Sequence, residues 1–382
     1  MLLRTRSQNF SPSGEGRLSK PIQFPLTTAT LWRRDFLRGL LLSPVALSFV
    51  QSALLAQTRS TSPPAALKHA GRELTTSNPD FFIRNHFQTP QINSDTWSLE
   101  VTGLVSTPLK LSYSDLLLMT PVRFACTVEC AGNLSGGKGV GNAVWSGVSV
   151  ASLLKQAGVQ SQANTLVLHG VDSGSGDDLP PGTHFARSIP LEKAMSDSTV
   201  LAYEMNGSPL PPDHGFPLRA IVGGWYGMDS VKWLTRIVLT DQPFQGYFQQ
   251  KHYVAIQKDG TARPITQMLV SSKFVRPSQD EEIHEKTYRL EGVAWAGERN
   301  VAKVEVRTND SEAWQTATVS ATPYPYVWTS WHYDWHVPGP GKYALEVRAT
   351  DEAGSTQPEV RDSRRQDAYE LNTSHRINVM VR

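Results

Sequence analysis

The chain changes pattern near residue 262, and this change constrains its fold more than any other feature. From 263 to 382, short segments alternate apolar and polar residues: Val304 and Val306 stand against Lys303, Glu305 and Arg307, then Tyr343, Leu345 and Val347 against Glu346 and Arg348. A period of two marks a half-buried strand. Turn signals such as Thr308-Asn309-Asp310 and Pro338-Gly339-Pro340-Gly341 separate these segments. The pattern predicts an immunoglobulin-like β-sandwich over 261–382, without the paired core cysteines of antibody domains.

From 77 to 253 the rhythm differs, with short apolar segments broken by Gly and Pro turns. Strands are expected at 97–102 and 165–170, and short helices at 112–119 and 150–157. No βαβ rhythm runs through it, and no glycine-rich phosphate loop joins a strand to a helix, which excludes dinucleotide and P-loop architectures. An α+β domain over 77–260 is expected. The 39% hydrophobic and 19% charged composition excludes global disorder. With 37 Lys and Arg against 35 Asp and Glu, the net charge of +2 provides no broad positive field for a polyanion, so nucleic acid is not an expected partner.

The 2 cysteines lie close together, in Cys126-Thr-Val-Glu-Cys130. In an extended strand, at ~3.3 Å per residue, their Cα atoms are ~13 Å apart, beyond the ~7 Å limit for a disulfide. At least one is then a free thiol with a chemical role. The alternative, two buried small hydrophobes, stays open on this evidence alone.

Residues 31–56 carry Arg33-Arg34, then Phe36-Leu37-Arg38 and an apolar run interrupted by Pro44 and Ser48. An apolar run of about 16 residues is too short to span a bilayer. The segment resembles a twin-arginine export signal. That resemblance implies a signal peptide over 1–56 cleaved near Ala56, a linker over 57–76, and a periplasmic mature chain with no integral membrane span. The route carries folded proteins, so a cofactor inserted in the cytoplasm is also implied.

Four segments concentrate unusual chemistry: Phe82-Ile83-Arg84-Asn85-His86, Glu129-Cys130-Ala131-Gly132-Asn133, Asp213-His214-Gly215-Phe216-Pro217-Leu218-Arg219, and Ser230-Val231-Lys232-Trp233. Singly, each has a bland reading as a surface turn, a satisfied histidine or a solvated lysine. Together they supply one thiol and several cationic and amide donors. Thiolate binds a soft metal and Arg, His and Lys bind phosphate, so the set suits an anionic metal–organic cofactor.

In these segments, and in the runs IPLEKAM at 189–195, LAYEMNGSPLPPDHGFPLR at 201–219 and VKWLTRI at 231–237, the sequence resembles the sulfite oxidase family of molybdenum enzymes. The resemblance extends from about Asp80 to the C-terminus and covers a molybdopterin domain and a following dimerisation domain. It implies a molybdenum–molybdopterin cofactor with Cys130 as the thiolate ligand to the metal, and Cys126 as a buried cysteine without that role. Phe82, Ile83, Arg84, Asn85 and His86 match a pterin-contacting loop whose arginine also faces substrate. Asp172, His214, Arg219, Ser230, Val231 and Lys232 match positions that hold the pterin and its phosphate, and Tyr253 falls at the spacing of the active-site tyrosine.

The resemblance further implies a homodimer formed by the C-terminal domain, and oxidation of sulfite or a related sulfur oxyanion by oxygen-atom transfer. No Cys-x-x-Cys-His haem motif occurs, and 57–76 is too short for a cytochrome b5-like domain. Electrons are therefore expected to pass to a separate acceptor, a periplasmic cytochrome c. Flavin and nicotinamide domains are not evident either, which disfavours a eukaryotic-type nitrate reductase.

The sequence departs from the family in two places. Sulfite oxidases continue Cys-Ala-Gly-Asn with Arg-Arg, where this chain has Leu134-Ser135, and many carry Trp-Arg-Leu-Trp where it has Trp328-Thr329-Ser330-Trp331. A less positive pocket follows. Lys138 and His184 are the candidate replacements, each with a competing reading as a solvated loop residue. The alternative is the same cofactor acting on an organic sulfur compound or an S- or N-oxide.

Overall fold

The computed structural model describes residues 68–69, 72–73, 75–176, 178–321 and 325–382. The expected signal peptide over 1–56 lies outside these residues. Within the expected linker, Lys68–His69 pairs with Arg72–Glu73 as a two-stranded hairpin.

The first domain is built on two five-stranded sheets. One runs in the order 109–112, 98–103, 234–240, 165–176, 179–190, and mixes antiparallel pairs with the parallel pair Ser98–Gly103 and Leu234–Thr240. The other orders Ser208–Pro209, Thr199–Met205, Val140–Ser149 and Val122–Glu129, with Arg219–Val222 also paired to Thr199–Met205. The strand expected at 97–102 is Ser98–Gly103. The one expected at 165–170 continues to Gly176, because its partner Leu179–Pro190 pairs along most of it.

Both short helices form where their caps specify. Ser112 and Asp115 make a capping box at the start of Tyr113–Leu118, each side chain accepting the other's backbone N–H. Val150–Ala157 opens on Ser149 and closes at Gly158, whose φ of 68° lies in the left-handed region that favours glycine. Leu153, Leu154 and Ala157 of this helix are fully buried in the core between the sheets.

The C-terminal domain is the expected sandwich. A four-stranded sheet, in the order 271–276, 287–295, 329–336, 318–319, faces a five-stranded one, in the order 282–283, 375–381, 341–351, 301–307, 315–316. Val304, Val306, Leu345 and Val347 point inward with Leu290, Trp331 and Trp335, and this core takes the place of a disulfide. The expected boundary after residue 260 falls at the turn of a hairpin between Val254–Ile256 and Ala262–Pro264. Among the described residues no helix is long and apolar enough to cross a membrane.

Candidate active site

A cleft opens in the first domain, and seven chain segments converge on it. The coil at 81–86 supplies Phe82, Arg84, Asn85 and His86; Cys130 comes from the end of Val122–Glu129, and Asp172 from the hairpin strand Thr165–Gly176. The turn Pro212–His214 and the strand Arg219–Val222 bring His214 and Arg219, residues after the turn Gly227–Asp229 bring Ser230 and Lys232, and Tyr253 follows a π-helical turn at Phe248–His252.

Asp172 reaches the cleft through an irregularity. The register of the hairpin shifts between His169 and Ser173, and such a bulge re-aims side chains. Val171 faces solvent while Asp172 is buried beneath it. A Cβ on Gly170 would meet the Lys232 carbonyl at 2.9 Å as well as the Asp172 carboxylate at 2.4 Å, which favours glycine there. Burial pushes the Asp172 pKa up to about 6, partly opposed by its own backbone N–H and then by Lys232.

One end of the cleft is cationic. Arg219 donates to the carbonyls of His214 at 2.9 Å and Ser230 at 3.2 Å and lies over the Trp145 ring. Burial lowers its pKa, yet a guanidinium keeps its proton at neutral pH. Lys232 donates to the Asn85 side chain and, at 2.8 Å, to the Asp213 carbonyl, and burial followed by Arg219 pulls its pKa down to about 7. His214 is pulled down to about 4, first by burial and then by Arg219. It is neutral at neutral pH, with Nε2 placed 3.2 Å from the Asn78 carbonyl.

The other end holds the thiol and the phenol. Cys130 is a half-buried free thiol, whereas Cys126 is fully buried and its pKa is pushed up to about 12 by burial. The Tyr253 hydroxyl lies 2.7 Å from His86 Nε2. Burial, then Arg84, lowers the His86 pKa to about 3, so its imidazole is neutral and can accept the phenol proton as a hydrogen bond. Phe185 stacks on His86 with ring centres 4.7 Å apart.

Two expected cofactor residues are not brought in. The Ile83 side chain is 54% exposed and Val231 is packed in the domain core, so neither lines the cleft. Val231 turns inward because its carbonyl accepts from Ala220, which fixes the alternation that points Ser230 and Lys232 toward the cleft. The missing arginines are not replaced. Lys138 and His184 are exposed and outside the lining; the Ser135 hydroxyl donates to the Thr373 carbonyl at 2.7 Å; and Thr329 is buried in the sandwich, donating to Ser320. An arginine at 329 would thus point into the sandwich here, contrary to the expectation that this position reaches the pocket.

Phe81, Phe185, Met228 and Trp233 also line the cleft, though only Trp233 fell within a segment singled out from the sequence. Beneath it lies an unexpected ion pair, Arg187 to Asp229 at 2.7 Å, with both side chains fully buried. Its signal was present: Arg187 sits at the inward position between Phe185 and Ile189, where alternation calls for an apolar residue.

The family model described as the oxidoreductase molybdopterin binding domain matches residues 86–248, and that of the Mo-co oxidoreductase dimerisation domain matches 262–382. The chain belongs to the sulfite oxidase family of molybdopterin oxidoreductases. Its cofactor is a molybdopterin. Human mitochondrial sulfite oxidase is 31% identical over 319 residues, 75% of this chain and 57% of that protein. Nitrate reductase [NADH] 1 of Phaseolus vulgaris is 32% identical over 342 residues, 78% of this chain and 38% of that protein. The chain thus spans little more than a third to about three-fifths of these relatives. The crystal structure of the sulfane dehydrogenase SoxCD from Paracoccus pantotrophus superposes with a TM-score of 0.72 at 27% identity, covering 84% of this chain and 86% of that one.

The cleft fits the family's cofactor on its own chemistry. Arg219 Nε and Asp172 Oδ1 are buried without a hydrogen-bond partner, a donor and an acceptor both available to a polar ligand. Among the described residues no three His, Cys, Asp or Glu side chains cluster as a metal site, so a metal at Cys130 must arrive with most of its own ligands.

Proposed function

We propose that the chain oxidises sulfite or a related sulfur oxyanion, with the net balance SO₃²⁻ + H₂O → SO₄²⁻ + 2H⁺ + 2e⁻. The observation that carries this reading is the convergence of the Cys130 thiol, the Arg84 guanidinium and the Tyr253 phenol on one cleft whose far end is cationic. Lys232, Arg219, Ser230, His214 and Asn85 would hold the phosphate end of the cofactor, and Asp172 a pterin N–H. Cys130, as thiolate, would hold the metal. When bound, the cofactor supplies two-electron oxygen-atom transfer.

The protein's own part is electrostatic. Arg84 is exposed at the cleft and draws an oxyanion toward the thiol end. Tyr253 donates a hydrogen bond or shares a proton there, and the neutral His86 holds the phenol when no substrate does. Electrons pass to a separate acceptor, which we take to be a cytochrome c. A homodimer through 262–382 and export by the twin-arginine route to the periplasm complete the reading. Replacing Arg33 and Arg34 by lysine tests the last point, since it should block export.

A second reading keeps the cofactor and changes the substrate to an organic sulfur compound or an S- or N-oxide. The positions of Ser135 and Thr329 favour it, because neither adds charge to the cleft. Likeness to a sulfane dehydrogenase also supports sulfur substrates other than sulfite. Steady-state reduction of ferricyanide or cytochrome c by molybdenum-loaded enzyme, with sulfite, thiosulfate and organic sulfides in turn, separates the two. Sulfite turnover with a KM no better than that for an uncharged sulfide would decide for the second.

A further inference from the structure

A guanidinium lies behind the Tyr253 ring. Arg187 uses its three nitrogens on three chain segments: Nε donates to Asp229 Oδ1 at 2.7 Å, Nη1 to the Phe248 carbonyl, and Nη2 to the Ile265 carbonyl at 3.2 Å. Both carbonyls bracket Tyr253. Phe248 opens the π-helical turn that ends just before Tyr253, and the Ile265 N–H donates to the Tyr253 carbonyl at 3.1 Å. The guanidinium carbon itself is 5.5 Å from the centre of the Tyr253 ring. Next along the strand, the Ser188 N–H donates to the Gln249 side chain at 3.2 Å and grips the same turn.

The pair is poorly suited to be a stabilising device. Both side chains are fully buried, and Asp229 Oδ2 has no hydrogen-bond partner. Burying two charges costs several kcal/mol per ion before their attraction is counted, and apolar replacements of similar volume are often neutral or stabilising. What an apolar pair cannot do is hold three segments in one plane. Asp229 immediately precedes Ser230 and stands three residues before Lys232, on the segment assigned to the phosphate end.

We infer that Arg187, anchored by Asp229, is a positioning residue that sets the Tyr253 phenol relative to the cofactor-holding segment. The inference rests on the proposed role of Tyr253 for its kinetic consequence, though not for its geometric one. Lysine cannot substitute, because a single ammonium cannot reach all three acceptors in the fixed fork of a guanidinium.

The test uses holoenzyme labelled with 3-fluorotyrosine, in which the Tyr253 fluorine resonance is assigned by its loss in Tyr253→Phe. The paired variant Arg187→Met with Asp229→Leu removes both charges together, and Arg187→Lys keeps the charge if the paired variant does not fold. With molybdenum content at the wild-type level, either should shift or broaden the Tyr253 resonance. Each should also lower kcat by about tenfold or more with KM within about threefold, the signature of a lost transition-state interaction. In a Tyr253→Phe background the same replacement should cost less than about twofold, since residues that act through one another are not additive. An unmoved resonance, or losses that simply add, would overturn the inference. Full activity in Tyr253→Phe would sink the phenol's catalytic role, and the resonance would still decide whether Arg187 positions it.

Discussion

The indole N–H of Trp295 donates to Glu129 at 2.9 Å, joining the sandwich domain to the residue that precedes Cys130. The other Glu129 oxygen accepts from Asn133 Nδ2 at 3.0 Å, and Asn133 Oδ1 accepts from the Gly139 N–H at 2.9 Å. Cys130 completes the set by donating its own N–H to the Gly139 carbonyl at 2.8 Å. The loop that presents the thiol is therefore closed on itself and tied to the second domain. Cys-Ala-Gly-Asn is in this sense a structural motif as well as the proposed ligand motif.

Trp295→Phe should weaken that tie at little cost in packing. It leaves a buried carboxyl short of one donor, which costs about 1–3 kcal/mol. Burial already pushes the Glu129 pKa up to about 7, and loss of the indole N–H, which opposes that shift, should push it higher still. Chemical denaturation should show the loss, and metal analysis after dialysis should show molybdenum retained less well than in wild type. Unchanged stability and unchanged retention would mean that Asn133 alone holds the loop.

Cys130→Ser should abolish turnover and leave the fold intact, because a hydroxyl is a poor substitute for a soft thiolate ligand. Cys126→Ser should do the reverse. Its side chain is fully buried in the cluster with Val128, Trp145 and Ile221, so the change is felt as stability, about 1–3 kcal/mol, for placing a hydroxyl in an apolar site. Equal losses of activity in the two variants would contradict the assignment of the ligand.

Arg84→Ala should cut kcat/KM for sulfite by about 10–100-fold, the equivalent of one charge-assisted hydrogen bond of roughly 1.5–3 kcal/mol. Thr329→Arg should destroy stability without improving sulfite turnover, since its hydroxyl is buried against the Ser320 carbonyl inside the sandwich. Ser135→Arg, at a half-buried position in the loop that follows Cys130, should raise sulfite kcat/KM with a steeper salt dependence. A neutral effect of Arg84→Ala, measured on fully metallated enzyme, would remove the main support for an anionic substrate.

Much of this site was legible because its residues come in short runs. Asn85-His86, His214 to Arg219 and Ser230 to Lys232 each place several polar groups within a few residues, and a turn or strand end then presents them together. The alternation of Val304, Val306, Leu345 and Val347 was equally plain, since a sheet with one buried face imposes a period of two. Ile83 and Val231 were misplaced for the same reason: a run names its neighbours as well as its functional members, and direction depends on backbone pairing. Arg187 and Asp229 went unseen because they lie 42 residues apart, and the one sign in the sequence, a charge at an inward position of the strand, names no partner. Only tertiary packing shows that they are buried on one another.

Lys232 gives the cleft a titration that can be followed without turnover. Its pKa falls from the ordinary 10.5 to about 7, chiefly through burial, then through Arg219, with Asp172 and Asp213 opposing. Between pH 7 and 10.5 the unfolded chain binds a proton at this residue that the cofactor-free folded protein does not. Stability linked to Lys232 therefore rises with pH across that window, and the full penalty for the buried charge is felt below it. Lys232→Met removes the term. Relative to the variant, wild type should gain on the order of 1 kcal/mol or more from pH 7 to pH 10 in urea denaturation of cofactor-free protein. An anion seated beside the ammonium restores its proton, so inorganic phosphate should stabilise wild type more at pH 7 than at pH 9 and leave Lys232→Met nearly unaffected. Parallel pH profiles for the two proteins, with equal responses to phosphate, would show that the cationic end of the cleft does not depend on Lys232.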